Sequence, residues 1–217
     1  LGDVYKRQIL CLYGTKLYCL GFSSGSMTKN QIKSAFVRSL EAGTLIDVNR
    51  SDQIEVFNVC MDKYSDIIHQ IQDKNKVLDV GCAKGFLVKD LVDLGMDAFG
   101  IDISKYAIEN GKDEIKDRLV HGNANNLPWE DNYFDLVISI MSLHCLHSYD
   151  LLKSLKEMQR VGKNHKYLCV ESYRNELEKA NLLYWQVTCE AFHDPDSWLW
   201  WFQKTGYNGD YSFIYFE

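Results

Sequence analysis

The sequence predicts one α/β domain in which a mostly parallel sheet carries helices on both faces. Val77, Leu78 and Val80 form a short apolar run of the kind that parallel sheets bury on both sides. Directly after Gly85 the apolar residues change to helical spacing. The same succession of strand and helix repeats up to about residue 171, which leaves few other architectures. In such a sheet, a ligand binds at the edge where the strands end.

Composition limits the possible functions. The chain has 217 residues, of which 46% are hydrophobic, and this suffices for one globular domain with a full core. Its net charge of −6 argues against a dedicated nucleic-acid binder, and no apolar run approaches the roughly 20 residues of a membrane span. Because the seven cysteines contain no C-x-x-C pair, we expect a cytoplasmic protein without disulfides and without a metal site.

The N-terminal residues need a separate interpretation. Residues 3–8 are what the DNA GATGTGTATAAGAGACAG encodes, which resembles a transposon end used in sequencing libraries. We therefore expect residues 1–8 to be adapter-derived, residues 1–26 to be a non-native or unstructured leader, and residues 27–217 to form the domain. Helical patterns predict an N-terminal cover at residues 28–72. The first of its two helices is equally compatible with a lid over the ligand site.

A glycine-bracketed turn organises the chain. Residues 76–87 read as a buried strand, a tight bend and the first turn of a helix. Gly81 and Gly85 bracket the bend, where the absence of Cβ lets the backbone come close to a ligand. Backbone N–H groups converge at such a corner, which is typical of nucleotide sites. The sequence has neither the G-x-G-x-x-G spacing of dinucleotide sites nor the P-loop spacing, which disfavours a dehydrogenase.

The motif D-x-G-x-x-x-G is present instead, beginning at Asp79. It resembles the first motif of the class I S-adenosylmethionine (SAM) methyltransferases. The resemblance implies that SAM is the cofactor, that the acidic strand end faces its ammonium group, and that the glycine loop reaches its ribose and carboxylate. Ala83 stands where many members have a third glycine. The implied cofactor-binding residues in this stretch are Asp79, Gly81, Cys82, Ala83, Lys84 and Gly85.

The end of the second predicted strand continues the resemblance. Asp102 follows Asp79 by 23 residues, at a place where a carboxylate can accept hydrogen bonds from both ribose hydroxyls. Ile103 lies beside it and joins the implied cofactor site. The alternative interpretation is a helix cap by Asp102 or Ser104, and both roles can hold together.

The next loop and strand add two further motifs. Asn123 and Ala124 stand where members often have Asp-Ala next to the adenine, although a loop rich in Asn, Gly and Pro also fits ordinary turn chemistry. Residues 127–137 read L-P-W-E-D-N-Y-F-D-L-V, which resembles the small methyltransferases that include the quinone-methylating enzymes. Ser139 follows as the last implied cofactor-binding residue. The resemblance covers about residues 76–170 and implies a Rossmann-like sheet of seven strands, in the order 3-2-1-4-5-7-6 with the last strand antiparallel.

Aromatic residues crowd the C-terminal part. We expect strands at residues 183–187 and 211–216, with a helix at 196–204 between them and Gly206 as its stop. Most of the rings belong to the core in this interpretation. The alternative is an aromatic pocket for the methyl acceptor, formed by Tyr173, Tyr184, Trp185, His193 and Trp198.

Four residues at the carboxyl edge are candidates for catalysis. His144 follows the fourth strand, in a string where members often have Leu-His-His-Leu, and its ordinary pKa of about 6.5 suits proton abstraction near neutrality. A histidine packed at the start of a helix explains the same position equally well. The further candidates, ranked after His144, are His147, Glu171 and Tyr173.

The sequence therefore predicts methyl transfer from SAM to a small molecule. We expect O-methylation of a hydroxyl group, with a sugar unit as one candidate acceptor, since residues 171–217 loosely resemble methyltransferases encoded among bacterial surface-sugar genes. We expect neither a nucleic-acid partner nor a membrane span. The alternatives are a non-catalytic SAM-binding module, and a methyltransferase that acts on a protein or nucleic acid. The oligomeric state is left open.

Overall fold

The structure is a computed structural model that describes residues 75–93, 95–186 and 188–216. The expected leader, the domain start and the helical cover at 28–72 lie outside these residues. None of the helices in the described part of the chain is long and apolar enough to cross a bilayer.

Six strands form one sheet in this part of the chain. Their order is β3-β2-β1-β4-β5-β6, and every neighbouring pair is parallel. The strands are β1 Lys76–Val80, β2 Asp97–Asp102, β3 Leu119–His121, β4 Phe134–Ile140, β5 Gly162–Glu171 and β6 Asp210–Ile214. The order of the first five strands confirms the predicted Rossmann-like arrangement, so the ends of β1, β2 and β4 meet at one edge.

Helices cover both faces of the sheet, as predicted. The helices are α1 Phe86–Asp93, α2 Lys105–Glu109, α3 Ser148–Val161, α4 Glu176–Trp185 and α5 Pro195–Thr205, and two 3₁₀ segments lie at Asp113–Arg118 and Leu143–Cys145. Adjacent residues of β1 enter opposite cores. Val77 packs with Leu87 and Leu91 of α1, whereas Leu78 packs with residues of α3 and α5. This two-sided burial explains why adjacent residues of β1, such as Val77 and Leu78, are both apolar.

The C-terminal part differs from the prediction. Residues 183–185, expected in a strand, are the end of α4. The Asn175 side chain accepts a hydrogen bond from the Glu178 N–H and starts this helix, and two acidic residues lie in its first turn. These local signals prevail over the strand preference of the later apolar residues. The second predicted strand is correct and is β6, but it runs parallel to β5.

The direction of β6 follows from the connection before it. Two helices, α4 and α5, carry the chain from β5 to β6, and a crossover of this kind returns it to the starting end of the sheet. The prediction had seven strands with an antiparallel last strand, and the described residues contain six strands that are all parallel, so the antiparallel direction is not confirmed. The helix before β6 was predicted correctly: Asp194 caps its start, and Gly206 ends it with a φ of 70°.

An arginine on α3 fixes the loop that follows β3. The Arg160 guanidinium donates to the carbonyls of Leu127 (3.0 Å) and Trp129 (2.8 Å). It also pairs with Glu157, whose carboxylate accepts the Leu127 N–H at 2.8 Å. The loop is thus attached to α3 through its main chain, although it has no regular secondary structure.

Candidate functional site

The loop after β1 has an unusual backbone. Gly81, Ala83 and Gly85 have φ values of 81°, 50° and 75°, in the left-handed region that glycine adopts most readily. Ala83 is the position where the family resemblance led us to expect glycine, and the conformation gives the physical reason for that preference. Asp79 is fully buried in β1, two residues before this loop.

Gly81 is in close contact with the chain after β4. A Cβ atom added there would overlap the hydroxyl of Ser142 and lie 2.5 Å from its Cβ. The N–H groups of Gly81 and Cys82 both donate to the carbonyl of Ile101 in β2, at 2.8 and 3.1 Å. Three segments therefore meet at Gly81, and the glycine is required both by its φ and by the space.

Asp102 joins the end of β2 to the glycine loop. One carboxylate oxygen accepts the Ala83 N–H at 2.7 Å, and the other accepts the Ser104 N–H at 2.8 Å. Each carboxylate oxygen can accept a second hydrogen bond. Ser104 separately caps α2 by accepting the Ala107 N–H. The cap is therefore Ser104, and the Asp102 carboxylate keeps acceptor capacity for a ligand.

The side chain of Cys82 enters the core, whereas that of Lys84 lies beside Tyr106. Cys82 is 1% exposed and its thiol lies in the core against Gly100. The Lys84 ammonium lies 5.4 Å from the centre of the Tyr106 ring. Cys82 can therefore serve a ligand only through its main chain.

Two residues near Asp102 have the character expected beside an adenine. Ile103 is 65% exposed, which is unusual for an aliphatic side chain directly after a core strand. Asn123 is half-buried, and its side-chain oxygen accepts the Asn125 N–H at 3.0 Å. The turn interpretation of Asn123 is thus correct, and its amide NH₂ has no partner among the described residues. Ala124 packs at the margin of the core beneath them.

Ser139 has a structural contact. Its side chain is fully buried, and its hydroxyl donates to the carbonyl of Val80 at 2.9 Å. This bond ties the end of β4 to the end of β1. Beyond it, Met141 has a φ of 55° and donates its N–H to the Cys169 carbonyl. The left-handed bend brings Ser142 against Gly81.

The structure brings His144 and Glu171 together. His144 Nε2 lies 3.5 Å from Glu171 Oε2, and the two side chains are 1% and 0% exposed. Neither ring nitrogen of His144 has a hydrogen-bond partner among the described residues. The other Glu171 oxygen accepts a hydrogen bond from Gln186 Nε2 at 2.5 Å. Two of the four catalytic candidates therefore form a buried pair.

Burial shifts the pKa of each member in the direction of the neutral form. It lowers the pKa of His144 to about 4 and raises the pKa of Glu171 to about 8, against a smaller lowering by the Gln186 hydrogen bond. Near pH 7 the imidazole is therefore neutral, and the carboxyl group mostly holds a proton. Because its pKa is only about 4, His144 alone is a weak base.

The other two candidates lie apart from this pair. His147 is exposed, stacks on Tyr149 and has its Nδ1 3.4 Å from Glu190 Oε2. The ring of Tyr173 is half-buried, with the Lys179 ammonium 5.1 Å from its centre. No contact of either residue with His144 or Glu171 is found in the described part of the chain.

The expected aromatic pocket is divided between core and surface. Trp198 is fully buried, and its indole N–H donates to the main-chain carbonyl of Glu171 at 3.1 Å. Tyr184 is 94% exposed. His193 is half-buried and accepts the Trp201 indole N–H at 2.9 Å. Trp198 is therefore a core residue that also holds the end of β5.

Sequence reasoning missed Gln186 and Ser142. Gln186 fell within a predicted strand and follows a helix instead. Ser142 carries no motif of its own, and its contact with Gly81 depends on the bend at Met141. Only the left-handed turn places it there, and the sequence shows no glycine that would have indicated such a turn.

The buried pair should give the protein a characteristic pH dependence of stability. The folded state keeps the Glu171 proton up to a pH of about 8, whereas free glutamate loses it near 4.5. Between about pH 6.5 and 8 the unfolded state binds fewer protons, so stability should fall as the pH rises, by about 1.4 kcal/mol per pH unit for one proton. Below this range the slope is offset, because the buried His144, whose pKa is lowered to about 4, binds fewer protons than an unfolded imidazole with its ordinary pKa of 6.5. We expect Glu171→Gln to remove this contribution to the slope in urea unfolding measured from pH 6.5 to 8.

Glu190→Gln is the matched control for this prediction, because the Glu190 side chain is half-exposed. Its slope should equal that of the wild type. An unchanged slope in Glu171→Gln would contradict the raised pKa.

Known proteins share part of the sequence and the fold of this chain. Residues 78–170 match a family model described as a methyltransferase domain. The chain is 33% identical over 125 residues to demethylmenaquinone methyltransferase of Geobacillus sp., which covers 53% of each protein. It is 30% identical over 121 residues to the sterol 4-C-methyltransferase strm-1 of Caenorhabditis elegans, covering 52% of this chain and 36% of that protein. The chain thus spans about half the length, or less, of these curated relatives.

A solved structure shows the same fold. A SAM-dependent methyltransferase from Archaeoglobus fulgidus superposes with a TM-score of 0.52 at 23% identity, covering 66% of each chain. The family match lies on the segment that carries the glycine loop, Asp102 and β4. Residues 78–170 are therefore similar in sequence to a methyltransferase domain, and the chain shares the fold of a solved SAM-dependent methyltransferase.

Proposed function

We propose that this chain binds SAM at the edge formed by β1 and β2, and that it transfers the methyl group to a small molecule. The observation that carries the proposal is the link between the glycine loop and Asp102. The Ala83 N–H holds one carboxylate oxygen at 2.7 Å and fixes the loop beside it. A preformed cradle of this kind lowers the ordering cost of binding.

Each part of the cradle suits one part of SAM. The Asp102 carboxylate has acceptor capacity for ribose hydroxyls, and the exposed Ile103 offers an apolar surface for adenine. Gly81 leaves room for close approach to the main chain. The buried Asp79 places a carboxyl group near the end of β1, which suits the cationic end of the cofactor. SAM, when bound, supplies a methyl group on a sulfonium that a nucleophile can displace.

The acceptor in this proposal bears a hydroxyl group. In the transfer the new oxygen–carbon bond forms, the carbon–sulfur bond breaks, and the hydroxyl proton must leave. The His144–Glu171 pair supports this chemistry. The two side chains lie together where the chain leaves β4 and β5, and the pair can take up a proton near neutral pH. A sugar hydroxyl is the acceptor we propose first.

The burial of this pair also favours a second candidate function. Side chains that are 1% and 0% exposed have no direct contact with solvent, and this would suit a module that binds SAM without transferring its methyl group. The two proposals differ in turnover and agree in binding.

The direct test is calorimetric titration with SAM, followed by a SAM-consumption screen. The screen should contain sugar nucleotides, hydroxylated metabolites, quinols and sterols, the last two because of the named relatives. Absence of SAM binding would overturn both proposals. Binding without turnover would favour the non-catalytic module, and turnover only on amines, proteins or nucleic acids would reject O-methylation.

Replacing His144 should separate binding from turnover. We expect His144→Ala to lower kcat by about 10²-fold or more, because a positioned proton acceptor contributes that much. SAM affinity, measured by calorimetry, should remain close to that of the wild type. His147→Ala is the comparison, since its ring is exposed and lies beside Glu190. Equal kcat values for His144→Ala and the wild type would remove His144 from the mechanism.

The cellular compartment is part of the same proposal. The four described cysteines, at positions 82, 145, 169 and 189, are all free thiols. Free thiols are typical of a reducing compartment, and we propose the cytoplasm.

A further inference from the structure

We infer that Gln186 is a positioning residue which, with His144 and Glu171, forms one proton-accepting unit; its use in catalysis rests on the methyl transfer proposed above. Gln186 Nε2 donates to Glu171 Oε1 at 2.5 Å, which fixes the carboxyl group in one orientation. The other oxygen, Oε2, then faces His144 Nε2 at 3.5 Å. His144 Nδ1 remains buried and without a hydrogen-bond partner among the described residues.

The main chain holds both members of the pair in place. The Glu171 carbonyl accepts the indole N–H of Trp198 at 3.1 Å. The His144 carbonyl accepts the N–H groups of Glu190 and Ala191 at 3.0 and 2.9 Å. The segment between α4 and α5 therefore holds the main chain of His144 and carries the glutamine, while Trp198 of α5 holds the main chain of Glu171. A side chain that serves only to fill space would not need this alignment of donors.

The remaining titratable groups near the carboxyl group are neutral or exposed. Burial raises the pKa of the Cys145 thiol to about 11 and raises that of Cys189 further. Glu190 is half-exposed and lies beside His147. Within the pair, the group that changes its charge near neutral pH is therefore Glu171, because burial holds its pKa at about 8 and holds that of His144 at about 4.

The unit can accept a proton while the imidazole stays neutral. The acceptor hydroxyl gives its proton to His144 Nδ1 as the oxygen–methyl bond forms and the sulfur–methyl bond breaks. The proton on His144 Nε2 passes to Glu171 Oε2. One O–H bond and one N–H bond break, one N–H bond and one O–H bond form, and Glu171 ends neutral. The step requires an ionised Glu171 at its start, so its rate should rise with pH up to about 8.

The hydrogen bond from Gln186 favours the ionised carboxylate. Removing it should raise the titration midpoint of Glu171 by about one pH unit, since hydrogen bonds to charged groups contribute about 1.5 kcal/mol or more. The measurement is carbon-13 NMR of the glutamate side-chain carboxyls, with the Glu171 signal assigned by its loss in Glu171→Gln. Gln186→Met is the first variant, and Gln186→Asn is the second in case the first does not fold.

We expect a wild-type midpoint near pH 8 and a higher one in the Gln186 variants. A wild-type midpoint below pH 6, or equal midpoints in the wild type and the variants, would overturn the inference. The same shift should appear in the pH profile of kcat/KM, with SAM affinity unchanged. A purely structural role would lower activity at every pH without moving this midpoint.

The failure of this inference differs from the failure of the proposed function. SAM titration tests the cofactor site and does not depend on Gln186. A protein whose Glu171 titrates as expected but which turns over no acceptor would refute the use of the unit in methyl transfer. If turnover has the same pH profile in Glu171→Gln and in the wild type, the use of the unit in methyl transfer is likewise refuted. The proposed methyltransferase function would then still stand.

Discussion

Gly81→Ala should abolish measurable SAM binding and lower the free energy of unfolding. The added Cβ would overlap the Ser142 hydroxyl, and the φ of 81° disfavours any residue with a side chain. The left-handed conformation costs roughly 1–2 kcal/mol, and relief of the overlap requires a shift of the chain after β4, which costs about 1–3 kcal/mol more. Urea unfolding and calorimetric titration measure the two effects.

Gly206→Ala separates the two causes. Gly206 has a φ of 70° and no atom within 4 Å of an added Cβ. Gly206→Ala should therefore lose only the stability that corresponds to the conformational cost, and it should bind SAM as the wild type does. A double variant, Gly81→Ala with Ser142→Gly, should recover part of the stability. Equal losses in Gly81→Ala and Gly206→Ala would contradict the importance of the Ser142 contact.

Asp102→Ala should weaken SAM binding by about 10²-fold. The change removes two charge-assisted acceptors, each with a net worth of about 1.5 kcal/mol or more. It also releases the Ala83 N–H, which is now held at 2.7 Å, so the loop loses its link to β2. Calorimetric titration measures the affinity, and thermal unfolding measures the accompanying loss of stability.

Asp102→Asn and Glu109→Gln complete this experiment. The asparagine keeps one acceptor oxygen and loses the charge, so its affinity should fall between those of Asp102→Ala and the wild type. Glu109 is exposed and pairs only with Lys105 of the same helix among the described residues, so Glu109→Gln should bind SAM normally. Wild-type affinity in Asp102→Ala would show that the carboxylate has no part in the site.

The strands and the glycine turn could be predicted because their signals are local. The run at residues 77–80 is apolar on both sides, and Gly85 marks the change of period at the start of α1. Gly206 ended α5 as predicted for the same reason. The prediction of a strand at 183–187 was wrong because its apolar residues fit the period of a helix as well as that of a strand. The upstream cap by Asn175 favours the helix.

The relation between His144 and Glu171 could not be derived from the sequence in the same way. Each was identified as a candidate from its place after a strand, but their pairing depends on the register of β4 and β5 and on the turn at Met141. Their protonation depends on complete burial, which a sequence pattern does not report. The order of preference among the candidates therefore changed: His144 alone is a poor base, and Glu171 is the group that titrates near neutral pH.

The arginine clamp on the loop after β3 has a consequence for hydrogen exchange. The Leu127 N–H donates to a carboxylate that Arg160 itself holds, and the Asn132 N–H donates to the Arg160 carbonyl. Amides held in this way open only when α3 moves with them, so their deuterium uptake should follow that of the helix rather than that of an exposed loop. With such uptake, we expect the adenine side of the proposed site to stay rigid on the timescale of exchange, and the opening that admits a cofactor to occur at another part of its rim.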